Sequence, residues 1–227
     1  MSDTPKSAPA KSPAAPTLRK PRGRGHERHE EILQAATKLF IEHGVDTVST
    51  RRIASEVGIS QTALYVYFPT KDAILQALCE ACFKRLTALF QIDLQQGRNW
   101  TERLRRIMQT YVRFGLDHPD EYRLSFMTPN AHKAEQVFNF DAPVEEQEIG
   151  VQCFLMLLHA VREFLAENAI AQDPYAATQC IWAGGHGLVS LMITVPNFPW
   201  TERESLIHSA TTLLLNGITN PSGAAPL

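Results

Sequence analysis

The sequence predicts an all-α protein, and three observations carry that reading. Apolar residues recur at three- and four-residue spacing along most of the chain. Hydroxyl side chains and glycines stand where helices would start and stop. No segment alternates apolar and polar residues convincingly, as a half-buried strand would.

The elements follow in order. Residues 1–25 carry Pro5, Pro9, Pro13, Pro16 and Pro21 among Ala, Ser and Lys, without any period. Such a segment buries too little apolar surface to offset its ordering entropy and reads as a disordered basic tail. Ile32, Ala36, Leu39, Phe40 and His43 mark a first helix, which Gly44 stops. A short helix begins at Ser49 or Thr50 and ends at Gly58. Ser60 caps another short helix, and Pro69 terminates it. Thr70 caps a long helix running through Ile74, Leu78, Cys82, Leu86 and Phe90. Further helices are expected at about 101–117, 121–127, 144–168, 174–194 and 201–217, with an irregular segment at 128–143. The domain reading is a tail (1–25), a three-helix domain (26–72), a larger helical domain (73–220) and a short tail (221–227).

Charge locates the chemistry. The 227 residues hold 22 Lys plus Arg and 24 Asp plus Glu, for a net charge of -2. Residues 1–71 carry 11 basic and 7 acidic side chains, whereas residues 72–227 carry 11 and 17. A polyanion partner belongs to the first third.

Within that third, Thr47–Asp72 is the informative stretch. A helix, a turn containing Gly58 and a second short helix make a helix-turn-helix. In the second helix Leu64 and Phe68 are four apart and face inward. Gln61, Thr62 and Tyr65 then occupy the other side, at the start of a helix of the size a major groove admits. Lys71 sits in the first turn of the next helix, where its charge opposes the macrodipole. With the Thr70 and Tyr67 hydroxyls it would form a phosphate clamp, which gives the lysine a reason to be there.

Residues 28–75 resemble the DNA-binding domain of TetR-type (TetR/AcrR) transcriptional regulators. The resemblance rests on Ile32-Leu33-x-Ala35-Ala36-x-x-Leu39-Phe40 with the Gly44 stop. It continues through Thr50-x-x-Ile53-Ala54-x-x-Val57-Gly58-Ile59-Ser60, Leu64-Tyr65-x-Tyr67-Phe68 and Lys71-Asp72-x-Ile74-Leu75. It implies a homodimer on a double-stranded DNA operator, with Arg51 and the 61–65 helix facing bases. It also implies phosphate contacts from Thr50, Tyr65, Tyr67 and Lys71. Arg22 and Arg24 carry two open readings, a minor-groove arm or part of a solubilising leader.

The acidic helical remainder has two expected tasks, holding the dimer and sensing a small, largely hydrophobic effector. Leu188, Met192, Leu206, Ala210, Leu213 and Leu214 are the candidate dimer residues, on two helices that would build a four-helix seam with a second copy. Gly184, Gly185 and Gly187 suit close approach of a backbone or ligand. Phe114, Phe126, Met127, Phe154, Trp182 and His186 are the candidate effector-pocket residues, with Tyr122, Phe138, Met156 and His159 of the same character. Trp182-x-x-x-His186-Gly187 resembles the Trp-His-Gly branch of the same family, which implies that this helix lies at or near the seam. The family habit implies repression, relieved when the effector binds. An architectural or protein-partner-controlled dimer without an effector is the alternative.

Other classes lack their signatures. There is no Gly-rich phosphate loop, Gly-x-Ser-x-Gly elbow or paired metal-ligand spacing, and His26 and His29 are three apart without the His-Glu-x-x-His order. No catalytic residue, metal or cofactor is assigned. Cys79 and Cys82 have no second pair and read as buried thiols, with thiol sensing as the lesser reading. No secretory signal is visible, and the apolar run Gly187–Val195 is too short for a ~20-residue span. The expectation is a cytoplasmic, nucleoid-associated protein without a membrane partner.

Overall fold

The computed structural model describes residues 25–128, 143–144 and 147–219. Among them the chain is all-α, without strands. The helices are α1 (Gly25–His43), α2 (Thr50–Val57), α3 (Gln61–Tyr65), α4 (Lys71–Gln96), α5 (Trp100–Asp117) and α6 (Pro119–Tyr122), followed by a π-helical turn (Arg123–Met127). Then come α7 (Ile149–Glu167), α8 (Pro174–Thr194) and α9 (Arg203–Thr219). Arg22, Arg24, Phe138, most of 128–143 and the 221–227 tail lie outside the described residues.

The local signals in the first third act as their chemistry requires. The Ser49, Ser60 and Thr70 side chains accept hydrogen bonds from the N–H groups of Arg52, Ala63 and Ala73 at the starts of α2, α3 and α4. Each satisfies one orphan donor of a helix terminus. Gly44 and Gly58 close α1 and α2 at φ +81° and +71°, the left-handed region in which a Cβ is strained. Ile32, Ile53, Leu64 and Ile74, one from each of α1 to α4, are all at 0% exposure and form the shared core of these helices.

Three later boundaries differ from expectation. Pro119 occupies the first turn of α6, so that helix starts earlier and gives way to the π-helical turn at Arg123. The helix expected from Val144 begins only at Ile149, because Glu148 is extended (φ -59°, ψ 145°). The last begins at Arg203, where the Glu202 carboxylate accepts from the N–H groups of Glu204 (3.0 Å) and Ser205 (2.8 Å).

Helices α4, α5, α7, α8 and α9 pack as a bundle in which α5 touches all the others. Long helix α4 runs from the helix-turn-helix into this bundle. Its Asp93, 6% exposed, is held by Arg106 of α5 at 3.2 Å. Its Arg85 holds Glu121 of α6 at 2.6 Å. Helix α7 is long and apolar enough to cross a membrane by length and composition. It is packed against α4, α5 and α8, with Ala160 and Val161 at 0% exposure.

Candidate nucleic-acid interface and internal cavity

Helices α2 and α3 are joined by a three-membered side-chain network. Gln61 Nε2 donates to Thr50 Oγ1 at 3.0 Å and to Tyr65 Oη at 2.9 Å, and the two hydroxyls lie 3.2 Å apart. The first residue of α2 is thereby tied to both ends of α3. Both amide hydrogens of Gln61 are engaged, so its amide oxygen is the atom available to a base. Arg51 and Thr62 are exposed, and Tyr65 is 46% exposed. Arg52 is also exposed and reaches His43 at the end of α1, Nη2 to Nε2 at 2.6 Å.

Lys71 has partners that the sequence does not reveal. Its ammonium donates to the carbonyl oxygens of Val45 (2.7 Å) and Asp46 (3.3 Å) in the α1–α2 turn. Those dipoles offset the unfavourable position of the charge at the start of α4. An ammonium has three donors, so one remains for an anion. Tyr67 is half-buried and packs against the core.

The second site is a partly open cavity of about 770 Å³ lined by α4, α5, α7, α8 and α9, with Phe126 of the π-helical turn on its wall. Its lining is mainly aliphatic and aromatic, and no Asp, Glu, Lys or Arg lines it among the described residues. Tyr111 and His186 bring polarity to the wall. Tyr122, at 0% exposure behind them, links the two: its hydroxyl lies 2.7 Å from Tyr111 Oη and 2.7 Å from His186 Nδ1. Burial pushes both phenols well above their ordinary range and lowers the His186 pKa, which favours a neutral chain of hydrogen bonds.

Residues 32–78 match bacterial regulatory proteins of the tetR family, and residues 104–213 match a tetracyclin repressor-like C-terminal domain. Together the matches cover more than two thirds of the chain.

The chain belongs to the TetR family.

It is accordingly a helix-turn-helix DNA-binding transcription regulator. A nucleoid occlusion factor, SlmA of Haemophilus ducreyi, is 27% identical over 170 residues, spanning 73% of this chain and 83% of that protein. SlmA of Actinobacillus pleuropneumoniae serotype 5b is 30% identical over 110 residues, or 48% of this chain and about half (54%) of the relative. A TetR family transcription regulator from Marinobacter aquaeolei VT8 has a similar fold, with a TM-score of 0.67 at 20% identity over 87% of this chain and 98% of that one.

For this TetR-family chain, the expected pocket residues divide. Phe126, Phe154, Trp182 and His186 line the cavity. Phe114 and Met127 do not. Phe114 turns to the α4 side, 3% exposed, with the Arg85 guanidinium 5.6 Å from its ring centre. Met127 ends the π-helical turn and packs on the core outside the cavity wall. His159 is exposed and meets Trp100 edge-on at 5.2 Å, also away from the cavity. Tyr122, expected to share the pocket character, stands behind the wall instead of on it, and the missed participant is Tyr111, whose helical spacing marks it only as core.

Of the candidate dimer residues, none is buried within the single chain, and Leu213 is 72% exposed. Leu188, Ala210 and Leu214 also line the cavity. Gly184 has a packing reason: a Cβ there would lie 2.7 Å from Leu214 Cδ2, so its absence lets α8 and α9 approach. Gly185 faces the Tyr111 ring, and Gly187 faces open space. Cys79 and Cys82 are buried free thiols, and burial pushes Cys82 up to about 12, which keeps it protonated and unreactive.

Proposed function

We propose that the protein is a homodimeric repressor released from a palindromic operator by a neutral, largely apolar small molecule. The observation that carries the reading is the 770 Å³ cavity with its uncharged wall and its Tyr111–Tyr122–His186 chain. A ligand carboxylate would be desolvated there without a cationic partner among the described residues, which costs far more than burying a hydroxyl or carbonyl that meets a hydrogen bond. Effector specificity therefore falls on a molecule with an apolar body and one neutral polar end, placed at His186.

On the DNA side, Gln61, Thr62 and Arg51 face bases, while Thr50, Tyr65, Tyr67 and Lys71 hold phosphates. The outer faces of α8 and α9, with Met192, Leu206 and Leu213, pair with a second copy about a two-fold axis. Coupling runs through α6 and the π-helical turn, which touch α1 and α4 while Phe126 forms part of the cavity wall. An occupant that displaces Phe126 shifts the elements on which the reading heads stand. A coupling of about 1–3 kcal/mol changes DNA affinity 5–150-fold.

A matched pair of probes tests this. 1-Decanol at about 100 times its dissociation constant should stabilise the protein by about 2.7 kcal/mol and weaken operator binding. Decanoate, with the same chain length, should do neither. Equal effects of the two would remove the neutral-ligand argument. No effect of either, or of larger neutral ligands, would favour the second reading, a dimer controlled by a protein partner. That reading draws on the nucleoid occlusion relatives and on exposed Trp182 (45%) and Leu191 (52%) on α8.

For Lys71→Ala, the expected result is an even loss of affinity across sequences and a salt slope lower by about one unit per half-site. Titration of operator and random duplexes at several salt concentrations checks it. A change in sequence preference would take Lys71 off the phosphate and leave it as the tie to Val45 and Asp46.

A further inference from the structure

Between residues 25 and 88 of the described chain, the large hydrophobic side chains left exposed are Tyr65 and Val66, and Val66, at 81%, is the more exposed. Tyr65 has a role for its hydroxyl in the network with Gln61 and Thr50. Val66 has no polar atom to offer. It follows α3 directly, still in helical backbone (φ -66°, ψ -30°), so its side chain stands one turn beyond Thr62 on the same stripe. That stripe points away from the core, because Leu64 (0%) and Phe68 (4%) occupy the inward side. A β-branched aliphatic on the outermost face of a surface helix contributes nothing to packing, and its branching is mildly unfavourable to the helix.

Its position gives it a use, given the reading of α3 as the helix that enters the major groove. Of the groups that base pairs present there, one is apolar, the C5-methyl of thymine. We propose that Val66 is a specificity-determining residue that packs against a thymine methyl group, beside the hydrogen-bonding contacts of Thr62 and Gln61. Valine has no donor or acceptor for the N7, O6, O4 or amino positions, so its discrimination is between thymine and a base lacking that methyl. Removing one methyl from such a contact costs about fourfold in affinity per half-site.

The test needs an operator, which selection with the full-length protein from a random duplex pool supplies. Each thymine of the enriched half-site is then replaced in turn by uracil, which keeps the base pair and deletes only the methyl. The expected result is one position per half-site at which uracil costs about fourfold. Val66→Ala should show the same loss on the thymine operator and no further loss on the uracil operator. Val66→Ile should retain the thymine preference. Both variants should melt with the parent protein, since the side chain is outside the core. The inference is overturned if no single uracil matters, or if the uracil effect persists unchanged in Val66→Ala. Failure to enrich any sequence would instead overturn the base-reading role of α3, and with it this contact.

Discussion

Gln61→Ala is expected to weaken operator binding about 5–150-fold per half-site and to relax preference at one base position, while leaving affinity for random DNA nearly unchanged. The range corresponds to about 1–3 kcal/mol for a base-edge contact. The local geometry explains why the effect should lie towards the upper end. Gln61 is held by Thr50 Oγ1 and Tyr65 Oη at 3.0 and 2.9 Å, so its amide is oriented before DNA arrives and little rotamer entropy is left to lose on binding. Tyr65→Phe removes one of those anchors without removing the base contact itself. Its loss of operator preference over random DNA should therefore be smaller, whatever its phosphate contact costs on both DNAs, and in that preference the double variant should fall well short of the sum, with a coupling of about 0.5–3 kcal/mol. Competition titration of the four proteins on operator and random duplex measures the cycle. Equal losses on both DNAs for Gln61→Ala would place the residue on the backbone instead of a base.

Tyr122→Phe is expected to destabilise the protein by roughly 1–3 kcal/mol, although the ring volume is kept. The Tyr122 hydroxyl is the middle of the chain joining Tyr111 Oη and His186 Nδ1, each 2.7 Å away. Deleting it takes one partner from each, but Tyr111 keeps a hydrogen bond to Trp182 and His186 is half-buried, so the loss is that of about one unsatisfied buried group, about 1–3 kcal/mol. Packing should survive, because the ring stacked on Phe126 at 4.5 Å remains in place. Denaturant unfolding checks the sign and size, and an unchanged midpoint would show that water replaces the missing hydroxyl. Ligand binding supplies the second readout. With His186 no longer oriented, discrimination between neutral ligands with and without a polar end should shrink, whereas a purely structural role would weaken all of them alike.

Much of the DNA-reading half was legible because its signals are local. Ser60 and Thr70 cap the residues three positions on, and Gly44 and Gly58 stop helices by adopting a conformation that few other residues tolerate. Leu64 and Phe68 identify the inward side of α3 by spacing alone. The same spacing also implies its opposite, yet the outward residue it points to, Val66, escapes notice in the sequence because an isolated valine reads as core. Lys71 was legible as an anomaly and not as a contact: its partners are the carbonyls of Val45 and Asp46, 26 and 25 residues away.

In the regulatory half, composition identified residues suited to a cavity but not which of them surround one. Phe114 and Phe126 belong to the same class, yet one lies under Arg85 and the other on the cavity wall. The outcome depends on how α4 to α9 cross, and a helix turned by a third of a revolution would exchange such positions.

Thus helix periodicity, caps, the turn glycines and the charge imbalance determined the all-α class and the helix-turn-helix, because each depends on residues within a turn or two of one another. Tertiary packing alone decided the engagement of Lys71, the Gln61–Thr50–Tyr65 network, and the cavity with Tyr122 behind its wall. Those features join residues from separate helices, and their distances are set by the interlocking of side chains across the core, which no single stretch of sequence contains.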